Sequence, residues 1–272
     1  MSLLSPLVSL SEGVGRLFLS LAEGVGHPIE VFLQTITRLH LVPARRRPIA
    51  EQLYSGAIQG IHVVLLVGLF IGMIVSLQTG IELMRIGQQD QIGTVVAVTM
   101  AREMGPFITA TILAATVGSS IAAELATMAV SDELAALEVL SVDRVRFLVM
   151  PRIVALAIAA PLLTILCDTI GIFGGGFVAQ SQLNVTFQLY IDSAIDALRS
   201  PALTIPLPKD IYTGLFKAFV FGVLIASIGC SAGLRATGGA LGVGHATRQA
   251  VRDSIIAVIV ANYFMTWFFY QG

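Results

Sequence analysis

The sequence predicts an all-α integral membrane protein, with an N-terminal interfacial amphipathic helix followed by five transmembrane helices. Apolar residues make up 56% of the chain and charged residues only 12%, whereas soluble domains carry about 25% charged residues. Apolar blocks such as Ile92–Ile121 and Phe147–Ala179 are longer than the roughly 20 residues that span a bilayer. A short cytoplasmic helix is expected between the second and third spans. The chain divides into interfacial helices with a basic linker, residues 1–48, and a five-span domain, residues 49–272.

The first 27 residues have the pattern of an amphipathic helix that lies in the membrane interface. Apolar residues recur there every three or four positions, which places them on one helix face. A signal peptide is not indicated, because a basic first region is missing and Glu12 and Glu23 interrupt the apolar run. Pro28 is expected to break this helix, and three arginines within Pro43–Pro48 precede the first span. The recurring residues are Leu3, Leu7, Leu10, Val14, Leu17 and Leu21.

The five spans are predicted at about 53–84, 92–121, 147–180, 211–234 and 252–270. A cytoplasmic N-terminus places ten arginines on the cytoplasmic side and only Arg85, Arg199 and Lys209 on the other, as the positive-inside rule requires. The C-terminus and the 183–208 connection then lie outside. This connection contains a predicted short helix, TFQLYIDSAIDAL, followed by PALTIPLP. The glycine-rich segment Ala236–His245 is predicted to be a flexible cytoplasmic turn.

Glycines recur in the first and third spans, and small residues let membrane helices approach closely. We expect most of these glycines to serve packing within one subunit, not a seam between two copies. They are Gly56, Gly60, Gly68 and Gly72 in the first span, and Gly171, Gly174, Gly175 and Gly176 in the third.

The stretch Glu124–Arg146 is rich in charges and separates the second span from the third, so it must emerge on one aqueous side. Its apolar residues recur at helical spacing, which predicts a short amphipathic helix at the membrane surface. This helix can offer a small-residue face to another protein; a helical hairpin loop without a partner fits the composition equally well. The apolar face comprises Val130, Leu134, Leu137 and Leu140, and the other side Asp132, Ala135, Ala136 and Val139.

Charged residues inside the second and fourth spans predict a polar site, because an ionisable group there costs about 3 kcal/mol and needs a reason. Arg102 and Glu103 are adjacent, and Gly105–Pro106 follows; a proline frees a backbone carbonyl and can kink a helix. Lys217 is a candidate partner for Glu103, and Asp210 for Arg102. These groups predict either a polar spot that lines a cavity or salt bridges that only hold helices together.

Asp168 is the lone acid of the third span, and it is either a helix-packing hydrogen bonder or a proton relay. Other functional classes are not indicated. The chain has only two lysines and neither stands in a Walker A motif. The four histidines lack metal-ligand spacing, and the net charge of −1 suggests no nucleic-acid role. No catalytic residue, metal or cofactor is predicted.

Four segments resemble the MlaE/YrbE permeases, the membrane subunits of ABC-type lipid transporters that work with MCE-domain proteins. The similarity covers about residues 45–270, and the Ala123–Asp143 block is its most specific part. The segments are Leu77–Met84 (LQTGIELM), Met100–Pro106 (MAREMGP), Ala123–Asp143 (AELATMAVSDELAALEVLSVD) and Met150–Arg152 (MPR).

This resemblance implies a permease subunit in a bacterial inner membrane, where the transporter moves phospholipid to or from a periplasmic MCE protein and maintains outer-membrane lipid asymmetry. The implied partners are a second copy of the chain, a cytoplasmic ABC ATPase dimer that hydrolyses ATP, and an MCE hexamer. A coupling helix at about 131–141 would dock on the ATPase through Asp132, Glu133, Ala135, Ala136, Glu138 and Val139.

The resemblance also implies a lipid site, in which Arg102 and Lys217 hold the phosphate region or order the acids that do. Two departures affect it: Thr116 stands in a segment where many relatives have an arginine, and Ile86 replaces an aromatic residue of some relatives. The implied polar contacts are Gln78, Arg102, Glu103, Asp210 and Lys217, and the implied apolar contacts are Val75 and Leu83.

Two other classes remain open from the residues alone. One is an ion-coupled secondary transporter or channel that uses Glu103, Asp168 and Lys217 as its pathway. The other is a membrane scaffold without a transport cavity.

Overall fold

The computed structural model describes residues 24, 26–38, 42, 45–199 and 209–271, and these residues form helices without any β-strand. Five helices are long and apolar enough to cross a membrane, as the sequence predicted. In chain order, the first to fifth spans are Arg46–Arg85, Gln89–Val130, Val145–Gln182, Lys209–Leu234 and Gly239–Gln271.

Three shorter helices accompany the spans: an N-terminal helix over residues 26–37, a loop helix Glu133–Val139, and a connecting helix Phe187–Arg199. The connecting helix confirms the short helix predicted between the third and fourth spans. Pro28 lies inside the N-terminal helix, whose first turn tolerates proline. The amphipathic pattern before residue 24 and the PALTIPLP segment lie outside the described residues.

The fifth span starts at Gly239, well before the predicted position 252, so the prediction of a flexible turn over Ala236–His245 is wrong for most of that segment. Within this segment, only Gly238 and Gly239 have left-handed backbone, with φ of +89° and +68°. The remaining glycines stay helical, because a glycine inside a helix costs only about 1 kcal/mol relative to alanine.

The first and third spans pack closely against each other, and glycines make the contact. A Cβ at Gly72 would overlap the backbone carbonyl of Gly171, and a Cβ at Gly174 would lie 2.8 Å from the carbonyl of Leu69. One turn beyond Gly72, the hydroxyl of Ser76 donates a hydrogen bond to the carbonyl of Gly175 at 2.8 Å. These contacts confirm that the small residues bring two helices of the same chain together.

We expect Gly72→Ala to destabilise the protein by about 1–3 kcal/mol, the usual effect of overpacking. The added methyl group has no room beside the Gly171 backbone, so the first and third spans must move apart. A lower midpoint of thermal unfolding in detergent checks this. Gly244→Ala is the matched control, since a Cβ there meets nothing within 4 Å. Equal midpoints for the two variants would contradict the close contact between the first and third spans.

The connecting helix is held against the bundle by Tyr190, whose side chain is fully buried. Glycines leave the space that Tyr190 occupies. A Cβ at Gly175 would lie 2.5 Å from the Tyr190 hydroxyl, and a Cβ at Gly93 would overlap the Tyr190 carbonyl. Tyr190 packs with Ile92 and Met100 in one apolar cluster. The connecting helix is therefore anchored beside the beginning of the second span.

The fifth span is the least buried of the five among the described residues. It contacts the second and fourth spans on one side. Its other side exposes large apolar side chains, which a bilayer or another protein must cover. They include Ile256, Val260, Tyr263, Phe264, Trp267 and Phe268.

Candidate functional site

Two ion pairs join the second and fourth spans, in the pairing that the sequence predicted. Arg102 donates two hydrogen bonds to Asp210, from Nε to Oδ1 at 2.6 Å and from Nη2 to Oδ2 at 3.2 Å. Lys217 Nζ lies 2.6 Å from Glu103 Oε1. The bidentate geometry of the arginine pair is the strong form of such a contact.

The backbone of the second span is irregular where it carries these charges. Residues Met100–Met104 form a π-helical turn, a feature frequent at functional sites. Pro106 has no N–H, so the carbonyl of Arg102, four residues earlier, loses its helical donor. Lys217 Nζ supplies the missing hydrogen bond to that carbonyl at 3.2 Å. The fourth span approaches closely here, because a Cβ at Gly214 would overlap the carbonyl of Ala101.

The fifth span completes the site with polar residues that the sequence analysis missed. Asn262 Nδ2 donates to Glu103 Oε2 at 3.0 Å, and Thr266 Oγ1 donates to Glu103 Oε1 at 3.0 Å. The Tyr270 hydroxyl donates to Asp210 Oδ1 at 3.2 Å. These three residues recur every four positions and so lie on one helix face. That spacing within an otherwise apolar segment was the available signal.

The four charged groups differ sharply in exposure, which separates their roles. The side chain of Lys217 is 0% exposed and that of Arg102 is 39% exposed. An ammonium group has three donors, and those of Lys217 are taken by the Arg102 carbonyl, Glu103 and Thr266. All three donors of Lys217 are thus engaged. Arg102 Nη1, in contrast, has no hydrogen-bond acceptor among the described residues. The resemblance implied that Arg102 and Lys217 hold the lipid phosphate or order the acids that do. Lys217 is buried and orders Glu103, whereas Arg102 is partly exposed.

The predicted contacts of the first span lie beside this network without a recorded hydrogen bond to it among the described residues. Val75 and Leu83 are half-buried and pack against the apolar cluster that includes Met100, as Met104 also does. Met100 and Met104 flank the charged pair in sequence. Gln78 is exposed. Their contact with lipid stays a prediction.

Asp168 is not part of the ion-pair network. Its carboxylate packs against Gly105, directly after the charged turn, where a Cβ would overlap Oδ1. Oδ1 is buried and has no hydrogen-bond partner among the described residues. Since Lys217 already has three acceptors, the contacts do not connect Asp168, Glu103 and Lys217 into one pathway.

The loop helix Glu133–Val139 presents the residues that the resemblance assigns to ATPase coupling. Leu134 is buried in the core, whereas all six assigned residues are exposed. Leu140 was expected on the buried face but is 71% exposed, because the helix ends at Val139. Asp132 and Ser141 have positive φ on either side of the helix, so sharp turns set its direction.

Ion pairs hold together the segments on either side of the loop helix. Arg152 Nη2 donates to Glu124 Oε2 at 3.0 Å, which joins the second and third spans. Asp143 accepts from Arg38 at 2.6 Å and from the N–H groups of Val145 and Arg146. Asp143 therefore caps the third span and fastens it to the N-terminal helix.

Asp143 should stabilise the protein in a pH-dependent way. Burial alone would raise its pKa, but the Arg38 guanidinium and two backbone N–H groups hold the pKa below its usual value of 3.8. A carboxyl group with a lowered pKa stabilises the fold above its unfolded pKa, and this contribution is lost as the pH falls through the folded pKa.

We expect Asp143→Asn, which keeps a capping oxygen but removes the charge, to lower the thermal midpoint at pH 7. The difference from the wild type should shrink as the pH falls below 3.8. Thermal unfolding in detergent, measured from pH 7 to below pH 3.8, checks this prediction. Asp90→Asn is the control, because Asp90 is exposed. A difference that is the same at both ends of the pH range would contradict the charge-based explanation.

Comparisons with known proteins agree with this architecture. The sequence model of the family described as Permease MlaE matches residues 49–268. The chain is 35% identical over 243 residues to a probable ABC transporter permease of Synechocystis sp., covering 89% of each chain. It is 35% identical over 250 residues to the chloroplastic protein TRIGALACTOSYLDIACYLGLYCEROL 1 of Arabidopsis thaliana, covering 92% of this chain and 69% of that protein. A probable ABC transporter permease of Rickettsia bellii is 33% identical over 265 residues, covering 97% of this chain and 99% of the relative.

Proposed function

Because this chain belongs to the MlaE family of ABC transporter permeases, we propose that it is the permease subunit of a phospholipid transporter in a bacterial inner membrane. It moves phospholipid between that membrane and a periplasmic MCE protein and so maintains outer-membrane lipid asymmetry. The observation that carries this proposal is Arg102, an intramembrane cation whose Nη1 has no hydrogen-bond acceptor in the described part of the chain. One relative is also named after a glycolipid.

Arg102 is the group that we assign to the lipid phosphate. Its Nε and Nη2 are fixed by Asp210, so the guanidinium is already oriented and Nη1 can donate to a phosphate oxygen. Glu103, Lys217 and the polar face of the fifth span hold the charged turn in place behind it. The apolar surfaces of the first and fifth spans, with Val75 and Leu83, accommodate the acyl chains.

The proposed partners fit the surfaces that the chain leaves open. The exposed residues of the loop helix, with Val139 86% exposed, form a docking surface for a cytoplasmic ABC ATPase dimer. The apolar side of the fifth span is available to a second copy of the chain, which makes the permease a homodimer. An MCE hexamer sits on the periplasmic side, together with the C-terminus; the N-terminus is cytoplasmic.

In the proposed mechanism, the second span transmits movement of the loop helix to the lipid site. ATP binding in the partner moves the loop helix, and the Glu124–Arg152 and Arg38–Asp143 ion pairs make the flanking helices follow it. The second span carries the charged turn Met100–Met104 and ends at Val130, just before the loop helix, so its movement changes the surroundings of Arg102. The cavity between the two copies is then squeezed and its lipid passes to or from the MCE ring.

The test is co-expression of the chain with an ABC ATPase and an MCE protein encoded beside it, followed by native mass spectrometry in mild detergent. We expect two copies of the permease, two ATPase subunits and bound phospholipid. A folded chain that purifies without ATPase and without lipid would overturn the proposal. Transport by the chain alone, driven by an ion gradient, would favour the ion-coupled alternative.

A further inference from the structure

A second cation, Lys209, lies at the beginning of the fourth span and contacts the same tyrosine ring as Arg102. Lys209 Nζ is 4.9 Å from the centre of the Tyr270 ring, and Arg102 Cζ is 4.6 Å from the same centre. Arg102 Cζ and Lys209 Nζ are therefore at most 9.5 Å apart, the sum of these two distances. Tyr270 is itself held by Asp210 and by Thr213, whose hydroxyl is 2.8 Å from the phenol oxygen. The ring is a fixed platform that both cations contact.

The charges of this site do not balance once Lys209 is included. Arg102 is neutralised by Asp210, and Lys217 by Glu103. Lys209 is exposed, and it has no ion pair among the described residues. Among the described residues, the site therefore carries one uncompensated positive charge, which lies on the same tyrosine ring as Arg102.

The two carboxylates of the site have little capacity for an additional cation. Asp210 accepts hydrogen bonds from Arg102 and Tyr270, and Glu103 accepts from Lys217, Thr266 and Asn262. An amine-bearing headgroup would bring a positive charge close to Lys209 and find each of these oxygens already engaged. An anionic headgroup meets two cations that are at least partly exposed, and the two carboxylates of the site are already paired with Arg102 and Lys217.

We propose that Lys209 makes the site selective for phospholipids with a net negative headgroup, with the phosphate held jointly by the Lys209 ammonium and Arg102 Nη1. This inference rests on the proposed function and specifies its substrate class. It assigns Lys209, which the sequence analysis counted only as a charge on the outer side, as the residue that distinguishes anionic from zwitterionic lipids.

The test measures which lipids the whole transporter complex binds in vesicle-derived discs that contain equal amounts of phosphatidylglycerol and phosphatidylethanolamine. Native mass spectrometry gives the ratio of the two bound lipids. We expect the wild type to enrich phosphatidylglycerol on the order of fivefold, the scale of one partly exposed charge pair. Lys209→Gln should bring the ratio close to one, and Lys209→Arg should retain the enrichment.

Arg199→Gln is the matched control, because it removes another exposed cation near the same end of the bundle. It should leave the ratio unchanged. An enrichment that survives in Lys209→Gln, or one that Arg199→Gln abolishes equally, would overturn the selectivity while leaving a lipid-binding permease. A wild-type complex without bound phospholipid would instead overturn the proposed function, and the inference with it.

Discussion

Replacing Glu103 with glutamine is expected to destabilise the protein by about 3 kcal/mol, because the ammonium group of Lys217 would stay buried without a carboxylate. Breaking a buried ion pair costs roughly 3–5 kcal/mol. The lower end applies here, since the Glu103 side chain is 27% exposed while that of Lys217 is 0% exposed. The midpoint of thermal unfolding in detergent measures the effect.

The double variant Glu103→Gln/Lys217→Met should recover most of the lost stability, because exchanging a buried ion pair for uncharged groups of similar size is often nearly neutral. A double-mutant cycle then yields the coupling between the two residues. Glu82→Gln is the control: Glu82 pairs with Arg85, and their side chains are 59% and 69% exposed, so its effect should stay below about 0.5 kcal/mol. If Glu103→Gln unfolds at the wild-type temperature, Glu103 does not hold Lys217.

Replacing Arg102 with lysine is expected to reduce lipid binding and transport about 10- to 100-fold, with a smaller loss of stability than Glu103→Gln. Lysine keeps the charge, but it cannot bond Asp210 bidentately and also present a fixed donor to a phosphate. A hydrogen bond to a charged group contributes about 1.5–3 kcal/mol, which corresponds to this range of affinity. Arg102→Ala should reduce binding further, because it also removes the charge.

Phospholipid retained by the purified complex and detergent sensitivity of a complementing strain measure this prediction. Expression and thermal midpoint are compared in parallel, so that a loss of function is not confused with a loss of folded protein. Arg85→Lys, at an exposed position of the first span, provides the control. Normal lipid retention in Arg102→Lys and Arg102→Ala would remove Arg102 from the binding site.

The two variants probe different parts of one network, and this distinction is absent from the sequence. Arg102 and Glu103 are neighbours in the chain, and both are charged residues of an apolar span. Their separate roles follow from their partners on the fourth span. Arg102 stays partly exposed when it pairs with Asp210, whereas Glu103 pairs with Lys217, which is buried against the second and fifth spans. Stability should therefore depend chiefly on Glu103, and ligand binding chiefly on Arg102.

Some of the site could be predicted because charge inside a membrane is rare. The chain has only two lysines, and each ionisable group within a span needs a partner. The pairing of Arg102 with Asp210 and of Lys217 with Glu103 followed from that scarcity. Asn262, Thr266 and Tyr270 could not be found in the same way, since neutral polar residues occur in membrane helices without requiring a charged partner.

The sequence by itself determined the class of protein, the five spans and the residues that must pair within them. A helix that crosses hydrocarbon must be long and apolar, with its backbone groups satisfied internally, so composition and spacing suffice for these conclusions. The tertiary structure decided where the fifth span begins, which cation remains open and which residues of that span join the network. These features depend on how helices distant in sequence pack together, which the sequence of a single helix does not specify.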